Sequence, residues 1–265
     1  MTTQSPLPSK KLAVVTGASS GIGRASALRL AENGYDLVLI ARREKELQEL
    51  ALEISNRYGS VIKTEIRVID MSESGAAKKA LEGLAEIKVL VNNAGFNKFG
   101  AIVDQTETDW MQMINLNCLA VISMCKEAVH RMTAGAVIVN VSSLAADIPL
   151  PYMSVYSASK AFVTNFSCAF REEVRKQGIR VVSLNPGGVR TDFVLKAGMP
   201  GRVNRENDRL LVSADYVAQR MMTAIKYPRS VYVPVRSGYF LHFLLYILPR
   251  PLKAYLAARS YREYL

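Results

Sequence analysis

The chain has 265 residues, 49% of them hydrophobic, and carries 34 Lys or Arg against 23 Asp or Glu, a net charge of +11. That length and apolar share fit one α/β domain with a large core, and less comfortably two small ones. Three Cys (Cys118, Cys125, Cys168) and two His (His130, His242) sit at spacings that match no zinc site and no Ser-His-Asp triad.

The N-terminus, MTTQSPLPSKK, has no apolar h-region and does not read as a signal peptide. Unpaired thiols then suit a reducing, cytoplasmic setting. KLAVVT (11–16) reads as a buried strand, and a helix follows from about 21 to 33 with Gly34 as its stop. YDLVLIA (35–41) is a second strand, and 43–57 a charged helix. VIKTEIRVI (61–69) is a third strand, followed by a helix over 72–85. KVLVNNAG (88–95) and AVIVNVSS (136–143) are strands four and five, with a long helical stretch over 107–132 between them. Helices over 154–177 and 213–226 and strands over 179–187 and 230–235 complete the series. Strands alternating with helices imply βαβ units with right-handed crossovers. The predicted fold is α/β: a single-domain Rossmann-type, doubly wound parallel sheet of about seven strands with helices on both faces. It spans 11–235, after a flexible 1–10 and before a C-terminal helical extension, 236–265.

The extension differs in composition. YFLHFLLYIL (239–248) is apolar but too short to span a bilayer, which takes about 20 residues. The last 40 residues hold seven basic residues against one acid, Glu263. Two readings stand: helices that pack on the domain or on a partner subunit, or a peripheral membrane foot over 237–265 with basic residues on anionic headgroups. No earlier basic run is interleaved with aromatics, so no nucleic-acid partner is expected.

Three stretches carry chemistry. TGASSGIG (16–23) leaves a strand and enters a helix, the context of a dinucleotide-binding loop. Its glycines run G-x-x-x-G-x-G. Gly17 permits the turn, Gly21 lets backbone approach a pyrophosphate, and Gly23 lets the helix pack closely. The helix N-terminus adds N–H donors and partial positive charge. Gly17, Ser19, Ser20, Gly21, Ile22 and Gly23 are therefore the candidate cofactor loop. The second strand ends at Ile40-Ala41 with no acid for an adenosine ribose; Arg42 and Arg43 follow instead. An Arg pair there suits a 2′-phosphate, which predicts NADP(H) rather than NAD. In YSASK, Tyr156 and Lys160 lie four apart and share a helix face. A neighbouring ammonium is expected to lower the phenol's pKa.

Four motifs in order, TGASSGIG, NNAG (92–95), YSASK (156–160) and NPGGVRT (185–191), resemble those of the short-chain dehydrogenase/reductase family, NADP-preferring type, over residues 11 to about 235. The resemblance implies that Tyr156 is the general acid, that Lys160 tunes it and binds the nicotinamide ribose, and that Ser143 holds the substrate carbonyl. Ser142 would be structural. Asn115, in MINLNCL, takes the fourth catalytic position, with Asn117 as the competing candidate. Asp70 and Met71 would face the adenine, and Asn93, Ala94 and Gly95 the adenosine ribose. Pro186, Gly187, Val189 and Thr191 would pack on the nicotinamide and phosphates. A homodimer or homotetramer is expected.

The substrate wall beside Ser143 and Tyr156 is expected to include Phe96, Leu144, Leu150, Met153 and Phe193, with Phe99, Ala145, Gly188 and Met199 nearby. Residues 192–212 read as a lid. Together these predict NADPH-dependent interconversion of a ketone and an alcohol on a lipophilic substrate. The alternative is a catalytically silent NADP(H)-sensing or membrane-recruited binding protein on the same fold.

Overall fold

Parallel strands covered on both faces have no polar side, so they read as unbroken apolar runs. VIVNV is such a run: all five residues of β5 (Val137–Val141) are buried. In the computed structural model, the described residues are 11–199, 211–235, 244–245 and 247–261. The predicted flexible segment 1–10, residues 200–210 of the expected lid, and 236–243 of the extension lie outside them.

The sheet has seven strands: β1 (Lys11–Thr16), β2 (Tyr35–Ala41), β3 (Thr64–Val68), β4 (Ile87–Asn92), β5, β6 (Arg180–Leu184) and, at the far edge, β9 (Val231–Tyr232). Their order is β3-β2-β1-β4-β5-β6-β9 and every pairing is parallel. Side chains alternate across each strand, so β1 feeds two cores. Ala13 and Val15 join the layer with α1 (Gly21–Glu32), α2 (Glu44–Tyr58) and α8 (Ala214–Lys226). Val14 joins the opposite layer with α3 (Ala76–Leu81), α5 (Ala120–Val129) and α6 (Ser154–Glu173). This is the doubly wound architecture read from the sequence.

Three elements depart from expectation. The helix predicted over 72–85 shrinks to α3, because Gly75 and Gly83, with φ of 76° and 66°, bracket it in left-handed backbone. The strand predicted over 61–69 begins only at Thr64, after a 3₁₀ turn at Gly59–Val61. The continuous helix over 107–132 divides into α4 (Glu107–Ile114), one π-helical turn (Asn115–Leu119) and α5. A short parallel pair, β7 (Val189–Arg190) with β8 (Val212–Ser213), stands beside α7 (Phe193–Lys196). The extension contributes α9 (Arg250–Tyr261). Among the described residues no helix is long and apolar enough to cross a membrane, and no His/Cys/Asp/Glu group could hold a metal ion.

A polar chain runs through the core. Asn92 donates to Asn140 Oδ1 (2.8 Å), and Asn140 donates to Ser167 Oγ (2.9 Å), joining β4, β5 and α6. Asn140 and Ser167 are fully buried, so each needs the other's partner. Asn140→Ala is expected to lower unfolding free energy by about 2–3 kcal/mol, since it removes buried hydrogen bonds to Asn92, Cys125 and Ser167 and leaves a cavity. Urea unfolding of the two proteins measures that loss.

Candidate active site

The sheet grows outward from β1 in one direction through β2 and in the other through β4. Ligands bind at the carboxyl ends of strands at such a reversal. The loop after β1 occupies that place. Gly17 has φ +66°, and a Cβ there would lie 2.8 Å from Asn93 Nδ2 and 2.9 Å from Ala94 Cα. A Cβ on Gly23 would overlap the Gly17 carbonyl oxygen. Any side chain at these two positions closes the loop on itself. Gly21 faces Thr191, whose Cγ2 would be 3.2 Å from an added Cβ.

The loop is tied to the end of β4. Backbone N–H groups of Asn93 and Ala94 donate to Thr16 Oγ1 at 3.0 and 3.1 Å. Asn93 Nδ2 donates back to the carbonyls of Thr16 (3.1 Å) and Gly17 (3.2 Å). The amide of Asn93, expected to face a ribose, therefore holds the loop. Ser20 begins α1 without a side-chain capping bond, and the first turn has no acid. Arg43 Nη2 instead donates to Ser19 Oγ (2.9 Å) and Ser20 Oγ (2.7 Å). A guanidinium thus sits at the mouth of an uncapped helix N-terminus. Arg42 turns to Asp70, at 3.2 Å.

The phenol and ammonium of YSASK meet below β5. Ser143 begins a 3₁₀ turn (Leu144–Asp147), its Oγ accepting from Ala145 N–H at 3.1 Å. The Ser143 hydroxyl, which also donates to the Pro186 carbonyl at 3.5 Å, lies near enough to Tyr156, in the first turn of α6, to act on its ionisation. Lys160 lies one turn on, with Nζ donating to the Val141 carbonyl (2.9 Å) and 5.7 Å from the Tyr156 ring centroid. Its side chain is buried. Ser142 Oγ, of the neighbouring residue, donates to the Lys160 carbonyl at 2.8 Å.

The electrostatics correct the expected direction for Tyr156. Burial pushes its phenol up, to about 12, against an opposing pull from the Ser143 hydrogen bond. Burial likewise pushes the Lys160 amine down to about 8, with Cys118 working in the other direction. For both groups desolvation is the largest cause of the shift. At neutral pH the phenol is fully protonated and the amine mostly charged.

Asn117, and not Asn115, comes to this group. The π turn adds a residue to one helical turn and swings Asn117 inward. Asn117 accepts from Phe96 N–H (3.1 Å) and donates to the Phe96 carbonyl (3.0 Å) and Ser159 Oγ (3.1 Å). Its Oδ1 and Lys160 Nζ both border Gly95, where an added Cβ would be 2.9 and 3.5 Å away. Asn115, half-buried, caps α4 and opens the π turn. The motif spacing held both asparagines; only the widened turn separates them.

An apolar wall stands over Tyr156. Met153 and Met199 are buried together, packed by Phe99, Leu150, Tyr152 and Tyr156. The Phe193 ring lies 5.7 Å from that of Tyr156. Leu144 closes on Gly187 and donates its N–H to the Pro186 carbonyl at 2.9 Å. Gly188 leaves room for Leu211. Tyr152, with φ 63°, bends the chain beneath Phe99, and sequence pattern offers no sign of that bend. Lys98 is held outside by Asp109, at 2.6 Å. Phe96 and Met71 also pack against the core beside α5 and α6, and Ile22 and Val189 against the core beside α1.

The family profile described as short chain dehydrogenase matches residues 11–199. The chain belongs to the short-chain dehydrogenase/reductase family of oxidoreductases. It is 36% identical to sulfoacetaldehyde reductase 2 of Chromohalobacter salexigens over 69% of this chain and 75% of that one. It is 39% identical to the very-long-chain 3-oxoacyl-CoA reductase of Anas platyrhynchos over 68% of this chain and 60% of that one. A short-chain dehydrogenase from Sphingobium yanoikuyae, solved with NADPH, superimposes with a TM-score of 0.77 at 28% identity, covering 91% of this chain and 97% of that one.

In this dehydrogenase, the folded pKa of Lys160 lies below its ordinary 10.5. The unfolded chain therefore holds that proton more tightly between the two values, and stability from this group rises with pH across the window. Urea midpoints of wild type and Lys160→Met at pH 7.5 and 9.5 should show wild type gaining about 2 kcal/mol relative to the variant.

Proposed function

We propose that the protein is an NADPH-dependent reductase that interconverts a ketone and an alcohol on a lipophilic substrate. The observation that carries this reading is the adjacency of Ser143, Tyr156 and Lys160 beneath a wall of Met153, Met199, Leu150 and Phe193. The glycine cradle at Gly17, Gly21 and Gly23 fits a dinucleotide, since side chains there would fill the space the backbone leaves. Arg43, joined to Ser19 and Ser20, would hold a 2′-phosphate, which favours NADP(H) over NAD. Pro186, Gly187 and Thr191 would flank the nicotinamide and phosphates, and Lys160 the nicotinamide ribose. Asp70 would serve the adenine side.

A bound dihydronicotinamide supplies one hydride to a carbonyl carbon. Tyr156 gives the matching proton to the carbonyl oxygen. A phenol at about 12 is protonated and ready at neutral pH, while the phenolate it leaves is costly in a buried site. Lys160 offsets that cost with its positive charge, and loses the charge above pH about 8. Ser143 donates a hydrogen bond to the same oxygen and so holds the carbonyl against Tyr156. Asn117, through Phe96 and Ser159, fixes the backbone around Lys160 and stands where a water could return a proton to it. With Ser143, Tyr156 and Lys160 all present and adjacent, a silent sensing protein is the weaker reading.

The relatives divide on substrate: some are named for sulfoacetaldehyde, others for very-long-chain 3-oxoacyl-CoA. The apolar wall favours the second kind. NADPH oxidation followed at 340 nm over ketones of increasing chain length should accelerate with length. Tyr156→Phe should lower kcat at least a thousandfold while NADPH still binds, and Arg43→Ala should raise the KM for NADPH tenfold or more with little change for NADH. Turnover retained by Tyr156→Phe sinks the reading.

The two asparagines are separated by the same assay. Asn117→Ala is expected to cut kcat about a hundredfold, a typical cost for a proton-transfer route. Asn115→Ala should change kcat less than threefold.

A further inference from the structure

Helix α9 is inside out for a helix on a water-soluble surface. Among its described side chains the deeply buried one is a lysine, Lys253, whose Nζ donates to the Leu245 carbonyl at 2.8 Å. Leu252, Tyr255 and Leu256 are 42%, 60% and 49% exposed. Positions i, i+3 and i+4 form one stripe along a helix, so these three side chains are a single apolar face. Ile247, 60% exposed in the preceding turn, adds to the apolar surface of the segment. A helix docked on its own domain would show the reverse pattern, with the leucines covered and the lysine in water.

The charge around the stripe selects its occupant. Arg250 and Arg259 are exposed near the two ends of α9, and the helix carries no acid. The Lys253 bond to Leu245 holds the helix on the preceding turn and draws that ammonium away from the apolar face. We propose that α9 lies flat on an anionic lipid surface, with Leu252, Tyr255 and Leu256 inserted below the headgroups and Arg250 and Arg259 on phosphates. An apolar stripe with Arg259 beside it and Arg250 at the helix start fits an interfacial helix, and α9 has neither the length nor the hydropathy of a spanning one. A two-fold contact of this face with a second copy would leave Arg259 with no acidic partner on the helix, which disfavours self-association.

The test uses the full chain and vesicles of phosphatidylcholine alone or with 30% phosphatidylserine, read by co-sedimentation. Wild type should partition at least tenfold more strongly onto the anionic vesicles, and 0.5 M NaCl should weaken that binding. Leu252→Ser/Leu256→Ser should lose tenfold or more, and Arg250→Gln/Arg259→Gln should lose the preference for phosphatidylserine. Thermal unfolding of each variant within a few degrees of wild type confirms that the fold survives. Equal partition of wild type and the serine variant overturns the proposal, as does absence of binding to anionic vesicles. A wild-type oligomer that dissociates in the serine variant, seen by light scattering, overturns it in favour of a subunit contact. All of these readings are independent of turnover.

Discussion

The hydrogen bonds between Thr16, Asn93 and Ala94 are the constraint on which the site depends. They join the loop after β1 to the loop after β4 where the sheet reverses its direction of growth. With those two loops locked, Gly17 and Gly23 can approach within distances that leave no room for a Cβ. The N-terminus of α1 is thereby aimed at one fixed point, and Arg43 reaches that point from the start of α2. A displaced Asn93 would free the loop and scatter the donors that a phosphate needs.

Burial governs the chemistry as firmly as position does. A tyrosine and a lysine one turn apart on an exposed helix would change each other's ionisation only modestly. Inside the domain, desolvation dominates both: the phenol rises to about 12 and the amine falls to about 8. At neutral pH the phenol is therefore protonated and the amine mostly charged. The same burial is a standing cost to stability, which the Val141 carbonyl and the surrounding core offset.

The buried polar chain from Asn92 through Asn140 to Ser167 belongs to the same economy of structure. It binds the two strands nearest the site to α6, the helix that carries Tyr156 and Lys160. The extension is built on the opposite rule. There a charge is tucked in and leucines face out, an arrangement that water alone does not favour.

Much of this was legible in the residues. Period-two and unbroken apolar runs marked seven strands, because side-chain alternation is local and does not depend on distant partners. The glycines of TGASSGIG, the Tyr156–Lys160 spacing and the absence of an acid after β2 were equally local signals. What sequence could not carry were effects that need three dimensions. Asn115 and Asn117 differ only in which way a π turn rotates them, and a π turn leaves no mark in composition. Phe96, Met71 and Ile22, read as pocket or cofactor residues by motif, also pack against the two core layers, a contact that only the folded sheet sets. The direction of the Tyr156 shift was read from a neighbour in the chain, but desolvation is a sum over atoms from β5, α6 and the loops, and only the folded packing sets that sum.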